Sequence, residues 1–379
     1  MDSHSKIRLI KDFVITENYI VINSFHRGLT EIIYRQKESK KWNNIQLPTE
    51  IFEADLYGKK GDTVLVTFSS PGRPFTTYRF NLNTEELQEL ASTKIKRTLE
   101  YYPKTIKTKQ LWVKVKGGKR VPVTLSKSTS PKRKHKGLIL KVYGSYGALP
   151  GGHGFSAEDL ILMKDGFSVA YAHVRGGSIL GNQWYEDGKL LNKENTFSDY
   201  IACAKYLIEK KYTDTDHLIG YGQSAGGTVV GVAVNRRPEL FNTVIFDHAY
   251  LDVLTTMMND TLPLTTDHYK EVGNPREEVY YEYIKNYSPY QNISAQDYPN
   301  LLFIGSSNDY QTPNWQIAKF VAKLRELNTS NNTILFKTDI GSGHMGSTRG
   351  DQWIRDLSFM YGFIYGNLFN SAKRVPSQK

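Results

Sequence analysis

The apolar pattern of the chain changes near residue 105. Before that point, apolar positions fall in short alternating or β-branched runs: Asp12–Thr16, Tyr19–Asn23, Thr30–Tyr34, Thr63–Thr67 and Thr77–Asn81. Turn-forming stretches separate them, among them Lys59-Lys-Gly-Asp62 and Ser70-Pro-Gly72. Period-two runs at this spacing predict antiparallel β-meanders of the kind found in propeller blades. About a hundred residues supply roughly two blades, whereas a closed propeller takes about four or more. The expectation for residues 1–105 is a partial β-propeller-like region.

After residue 105, strand and helix patterns alternate. Lys109–Val115 and Arg120–Leu125 read as a hairpin around Gly117-Gly118. Gly137–Tyr143 and Phe167–Val174 are near-continuous apolar runs, as expected of strands buried on both faces. The region from Thr196 to Lys210 has a helical period, with Thr196 as a candidate N-cap and Asp199 in the first turn. Then follow strand Leu218–Tyr221, helix Ala225–Asn235, strand Thr243–Asp247, strand Asn300–Gly305, helix Trp315–Leu327, strand Asn332–Lys337 and helix Asp351–Leu368. Strands alternating with helices predict an α/β domain with a doubly wound parallel sheet over residues 106–379.

Composition changes this picture little. With 379 residues, 39% hydrophobic and 23% charged, two domains of an ordinary globular protein are expected. No run of about 18 apolar residues predicts a membrane span. Met1 to Lys11 lack the apolar stretch of a secretory signal. Cys203 is the only cysteine, so no intrachain disulfide forms, and its helical, apolar surroundings point to a buried structural thiol. These features lead to an expected cytoplasmic location. The formal net charge of +11 raises the question of a nucleic-acid partner. The densest basic cluster, Lys132-Arg-Lys-His-Lys136, lies between two strand patterns with no recognition motif beside it. It reads as a solvated loop, and no nucleic-acid or membrane partner is expected.

Gly222-Gln-Ser-Ala-Gly226 is a G-x-S-x-G pentapeptide that follows a predicted strand and opens a predicted helix. Such a turn strains the serine backbone and leaves no room for side chains two residues before or after it, where glycines stand. It puts Ser224 at the C-terminal sheet edge, with the Ala225 N–H facing the position of an oxyanion. A serine needs a base to become a nucleophile. In the α/β-hydrolase fold the chain order is serine, acid, histidine. Asp309 follows the strand ending at Gly305, and His344 lies in Gly341-Ser-Gly-His-Met-Gly346 after the last strand. Both fall at C-terminal strand ends, where open α/β sheets bind ligands. The expected catalytic set is Ser224, Asp309 and His344, with no metal and no cofactor. His248, just past a strand end, is the rival base; Asp247 and Asp252 are rival acids. His4 and His26 belong to the β-rich part, His135 and His217 precede strands, His173 sits in an apolar strand, and His153 lies in a glycine-rich loop.

From about Lys109 to Phe369, the chain resembles the prolyl oligopeptidase family of serine peptidases, and within it the oligopeptidase B branch. The resemblance rests on Val142-Tyr-Gly-Ser-Tyr-Gly147, His173-Val-Arg-Gly-Gly177, Gln183-Trp-Tyr-Glu-Asp-Gly-Lys189, Gly222-Gln-Ser-Ala-Gly-Gly227, Asp252-Val-Leu-Thr-Thr-Met257, Pro263-Leu-Thr-Thr266, Gly273-Asn-Pro275, Tyr287-Ser-Pro-Tyr290 and Gly341-Ser-Gly-His344. Residues Ser69 to Leu90 are similar to the last propeller blade before the hydrolase domain. The resemblance implies that Ser224, Asp309 and His344 form the triad. It also implies that the Tyr143 hydroxyl joins the Ala225 N–H in the oxyanion hole. It implies short peptides as substrates, admitted past a seven-bladed propeller.

The chain departs from that family pattern in three ways. Most of the propeller has no counterpart in these 379 residues, as in a fragment or a naturally reduced form. The carboxylate pairs that read a basic substrate residue are replaced by His268 and Lys270 at one site and by Gly152 and Gly154 at the other. Asp267 and Glu271 stand near the first site but are offset by one residue. Ile179 replaces a usual glutamate, and Gln311 stands where an arginine commonly contacts the substrate carbonyl. His268, Lys270 and Gln311 are therefore the expected substrate-binding positions. The competing readings are an esterase or acylaminoacyl-type hydrolase on the same site, and an inactive remnant. Without a carboxylate pair to compensate a desolvated guanidinium or ammonium, peptide cleavage after Arg or Lys is expected to be poor. Comparing peptides with Arg, Pro, Phe and Glu at that position checks this, and a clear Arg preference rules it out.

Overall fold

The computed structural model describes residues 8–93, 105–130, 135–149, 151–346 and 351–370. His4 and Lys132 to Lys134 of the basic cluster lie outside the described residues. In the N-terminal region, β1 (Arg8–Ile15), β2 (Tyr19–His26), β3 (Leu29–Gln36) and β4 (Asn43–Asn44) form one antiparallel sheet in chain order. A second antiparallel sheet comprises β5 (Glu53–Lys60), β6 (Thr63–Ser70), β7 (Arg73–Asn81) and β8 (Glu86–Ser92). These are the two blade-like meanders that the turn spacing predicts. The sequence reading missed β5 and β8, because β5 buries few of its side chains and β8 is an almost wholly exposed edge. The two sheets share one core. Val21, Ile32 and Tyr34 of the first pack with Phe52, Val66, Phe68 and Phe80 of the second.

The C-terminal region is built on an eight-stranded sheet. Its strands are β9 (Ile106–Lys114), β10 (Arg120–Ser128), β11 (Gly137–Val142), β12 (Phe167–Ala172), β13 (Leu218–Gln223), β14 (Thr243–Asp247), β15 (Asn300–Ser306) and β16 (Ile334–Asp339). Their order is β16-β15-β14-β13-β11-β12-β10-β9. Strands β11 to β16 are parallel. The β9–β10 hairpin adds to β12 antiparallel, so the sheet is mixed rather than purely parallel as expected.

Helices α1 (Ala157–Lys164), α2 (Asn182–Glu186), α3 (Glu194–Glu209), α4 (Ala225–Arg236), α5 (Val253–Met257), α6 (Thr265–Val272), α7 (Glu278–Tyr287), α8 (Asn314–Leu327) and α9 (Gln352–Asn370) accompany it. Strand side chains alternate between two cores. Leu138, Leu140, Val244, Phe246, Leu301 and Phe303 join the layer with α3, α4 and α8. Ile139, Ile219, Ile245, Leu302 and Ile304 join the layer with α1 and α9. This explains the continuous apolar runs: both faces of each central strand are covered.

Helix α3 begins earlier than its capping pattern predicts. Thr196 lies inside it, buried, and its hydroxyl donates to the Arg175 and Gly188 carbonyls. Asp199 accepts from the Arg175 guanidinium at 2.8 and 2.6 Å instead of serving the helix terminus. Long-range pairing therefore overrides the local signal.

The N-terminal sheets are tied to the C-terminal one at a few points. Phe25 packs into the larger core beside Leu111 and Val113. Gln110 Nε2 donates to the Gly28 carbonyl at 3.0 Å, and the Phe155 amide donates to Ser69 Oγ at 3.3 Å. Near this seam, Thr124 Oγ1 lies 2.7 Å from His173 Nε2 and 2.9 Å from His153 Nε2. Burial pushes His153 down to about 4 and His173 well below the ordinary imidazole range. In the unfolded chain both titrate near ~6.5. The unfolded state therefore takes up protons first, and stability falls as pH drops from ~6.5 toward about 4. Unfolding free energy is expected to fall between about pH 7 and about pH 5.5 by about 1 kcal/mol for each of these histidines, which lowers the urea midpoint. An unchanged midpoint over that interval contradicts this account.

Candidate active site

Ser224 directly follows β13 and stands at the N-cap of α4 with φ 52° and ψ −124°, a conformation that L side chains rarely adopt. Three backbone bonds over-determine it. Its amide donates to the Asp247 carbonyl at 3.0 Å, and its carbonyl accepts from the Gly227 and Tyr250 amides, each at 2.9 Å. The surrounding glycines are a packing requirement. A Cβ on Gly222 would run into the Gly226 backbone, and one on Gly226 into the Val142 carbonyl. Ala225 is the first residue of α4, so its amide belongs to the unpaired donors at a helix N-terminus.

The Tyr143 hydroxyl lies in hydrogen-bond reach of the Ser224 side chain. Burial pushes its pKa up, with the Ser224 hydrogen bond opposing, so Tyr143 remains a neutral donor near neutral pH.

Asp309 lies in the loop after β15, and its carboxylate is surrounded by donors. The Gln311 and Thr312 amides donate to Oδ1, each at 2.9 Å. Thr312 Oγ1 lies 2.7 Å from Oδ2, and His344 Nδ1 is 2.8 Å from the same oxygen. Burial alone would raise the Asp309 pKa, but the hydrogen bonds from His344 and Thr312 outweigh it and hold the carboxyl below its usual range. His344 therefore faces an ionised partner through Nδ1, and Nε2 is the ring nitrogen left to act as a base.

Thr312 was not anticipated. Its side chain touches Asp309, lies 3.1 Å from His344 Nδ1, and sits 2.9 Å from the His248 carbonyl. Its position three residues after an aspartate is the local signal that would have found it, because Asp side chains cap turns in this way.

The rivals are engaged elsewhere. His248 is buried, with Nδ1 2.7 Å from Asp247 Oδ1 and Nε2 2.7 Å from Ser306 Oγ. Burial opposes its protonation, but the Asp247 contact outweighs it and raises its pKa. The Tyr221 hydroxyl donates to the other oxygen of Asp247 at 2.6 Å. Asp252 caps α5 and pairs with Lys319.

A cavity of about 290 Å³ opens beside Ser224, lined by Tyr143, Tyr146, Tyr250, Asp267, His268, Gln311 and Thr312 together with Ser224 and Ala225. His268 and Gln311 thus fall at the site. Lys270 is a correction: it is exposed and is not among the lining residues. Helix α6 is the reason: at 3.6 residues per turn, Lys270 is rotated by roughly 200° from His268 and points away from the cavity. Gly152 and Gly154 line a separate small void. A Cβ on Gly152 would lie 2.6 Å from the Tyr171 ring, which leaves no room for an acidic side chain, and one on Gly154 would meet the like-charged Glu53 carboxylate. Ile179 is in the larger core, where a glutamate would be an unpaired buried charge.

Comparison with known proteins adds an independent line. The model of the prolyl oligopeptidase family matches residues 153–370. Protease 2 of Moraxella lacunata is 34% identical over 375 residues, covering 96% of this chain and 53% of that protein. Dipeptidyl aminopeptidase BI of Pseudoxanthomonas mexicana is 37% identical over 315 residues, covering 82% and 43% respectively. Among solved structures, oligopeptidase B from Leishmania major superposes with a TM-score of 0.87 at 30% identity, covering 96% of this chain and 52% of that one. The chain spans about half the length of the curated relatives it matches.

The Thr312 hydroxyl predicts a measurable effect. Thr312→Val removes a hydrogen bond that holds Asp309 while leaving Ser224, Asp309 and His344 themselves unsubstituted. Labelling of Ser224 by a fluorophosphonate probe should slow by about tenfold while thermal unfolding shifts little. An unchanged labelling rate would sink the role given to Thr312.

Proposed function

The chain belongs to the prolyl oligopeptidase family of serine peptidases, and on that footing we propose that it hydrolyses short peptides through an acyl-enzyme on Ser224. The observations that carry this reading are a strained serine at a strand-to-helix turn and, on the same sheet, a carboxylate–imidazole pair 2.8 Å apart. Ser224 follows the C-terminal end of β13, and Asp309 and His344 follow those of β15 and β16, the edge on which open α/β sheets act.

In the proposed mechanism, His344 Nε2 takes the Ser224 proton as Oγ attacks the peptide carbonyl carbon. Asp309 holds the Nδ1–H tautomer and stabilises the imidazolium that forms. The Ala225 amide and the Tyr143 hydroxyl donate to the carbonyl oxygen as it becomes an oxyanion. His344 then gives its proton to the departing amine, and the C–N bond breaks. Water attacks the ester carbonyl, passing its proton to His344, and the acid product leaves as Ser224 regains its proton. A depressed Asp309 pKa serves this cycle, since the carboxylate must stay ionised beside a charged imidazole.

Cytoplasmic placement is part of the proposal, resting on the single thiol. Cys203 is fully buried, and burial pushes its pKa well above the usual range, so it is an inert packing residue. No helix among the described residues is long and apolar enough to cross a membrane.

Ser224→Ala is expected to abolish labelling by a fluorophosphonate probe; labelling that survives would reject the nucleophile. Tyr143→Phe keeps the ring but removes one oxyanion donor. It should lower kcat by about 10- to 100-fold with little change in KM, as expected of a contact that strengthens in the transition state.

A further inference from the structure

The cavity beside Ser224 carries more aromatic surface than acyl transfer requires. Four rings surround it: Tyr143, Tyr146, Tyr250 and His268. None of the ring pairs is stacked flat. Tyr143 and Tyr146 have centroids 6.4 Å apart at 46°, Tyr146 and His268 5.3 Å at 54°, and Tyr250 and His268 6.3 Å at 79°. A set of tilted rings offers both faces and edges, the arrangement in which a further ring gains most from each neighbour. At about 290 Å³ the cavity lies at the small end of ligand pockets, with room for one side chain.

We propose that this cavity receives the side chain on the acyl side of the scissile bond and selects a neutral aromatic one, phenylalanine or tyrosine. The inference rests on the serine-hydrolase reading above and gives that site its substrate class.

Charge excludes the alternatives. Tyr146 Oη lies 3.4 Å from His268 Nδ1, and burial pushes the His268 pKa down against the opposing pull of Asp267 and Glu271, so the ring is neutral near neutral pH. Glu271 sits behind the wall rather than in it. It is buried, and its Oε1 accepts from Lys193 Nζ at 2.8 Å. The same ammonium donates to the Gly144 carbonyl at 3.0 Å and to Ser145 Oγ at 2.6 Å, so this ion pair braces the turn that carries Tyr143 and Tyr146. Asp267 alone among the lining residues bears a carboxylate, and it is exposed to solvent. A guanidinium leaving water needs a bidentate or paired partner, which one solvated carboxylate does not supply. An acidic side chain meets no cation among the lining residues and is repelled by Asp267. A pyrrolidine ring carries no charge penalty but reaches fewer of the four rings than a six-membered aromatic ring does.

The test is protection of Ser224 from fluorophosphonate labelling by short peptide aldehydes ending in Phe, Tyr, Pro, Arg or Glu. The Phe or Tyr aldehyde should protect at a concentration at least about tenfold below that of the other three. Best protection by the Arg, Pro or Glu aldehyde overturns the proposal while leaving the hydrolase reading intact, because Ser224 is then still labelled. Absence of labelling in the unsubstituted chain overturns both. Two variants read the wall itself. Tyr146→Ala should bring the Phe-to-Arg ratio down by about tenfold, and His268→Glu should improve protection by the Arg aldehyde at the expense of the Phe aldehyde. A ratio unchanged in both variants also overturns the assignment.

Discussion

The backbone of Ser224 is the constraint around which the rest of the site is arranged. At φ 52° and ψ −124° it costs on the order of 1–3 kcal/mol relative to a relaxed conformation. It persists because β14 and the segment after it hold it from the side, through the Asp247 carbonyl and the Tyr250 amide. That close approach is possible only where the chain carries no side chain. Gly222, Gly226 and Gly227 all face backbone or Cβ atoms that a side chain would strike. The strain and the glycines are thus one feature: the turn that lifts Oγ above the sheet brings β11, β13, β14 and α4 within backbone contact.

The acid loop is built on a separate set of contacts. Thr312 links the Asp309 carboxylate to the His248 carbonyl, and His248 is itself fixed between Asp247 and Ser306. Asp247 in turn supplies the carbonyl that holds Ser224. Ser224 and Asp309 therefore share a common support at the end of β14, though they sit 85 residues apart in the chain. His248 has a T-shaped contact with the His344 ring at 6.1 Å, which extends that support to the base. Ser306, His248 and Asp247 thus form a second hydrogen-bonded array beside Ser224 and Asp309, and its His248 and Asp247 line a separate cavity of about 330 Å³.

Substrate contacts follow a different logic. The rings of Tyr143, Tyr146, Tyr250 and His268 come from three separate segments, and Lys193–Glu271 braces two of those segments against each other. Pairing the ions behind the wall keeps a buried carboxylate from standing uncompensated and leaves the wall itself nearly uncharged. At Gly152 an added Cβ would strike the Tyr171 ring, and at Gly154 it would meet the end of the Glu53 side chain.

Much of this was legible in the sequence because it depends on local pattern. The G-x-S-x-G turn, the burial of strands on both faces and the chain order of Ser224, Asp309 and His344 follow from short-range spacing and from the direction of a parallel sheet. The two meanders before residue 105 were readable in part from alternating runs and turn residues, while the short β4, the sparsely buried β5 and the largely exposed β8 left no such pattern. Tertiary structure decided what depends on contacts between distant segments. Thr196 and Asp199 look like a helix start but are drawn inward by Arg175 and Gly188. Lys270 looks like a pocket residue until the phase of α6 turns it to solvent. The β9–β10 hairpin joins the sheet antiparallel because its short turn leaves no crossover. Local chemistry named the candidate reacting groups; the packing of segments tens of residues apart determined their supports and the shape and charge of the cavity beside Ser224.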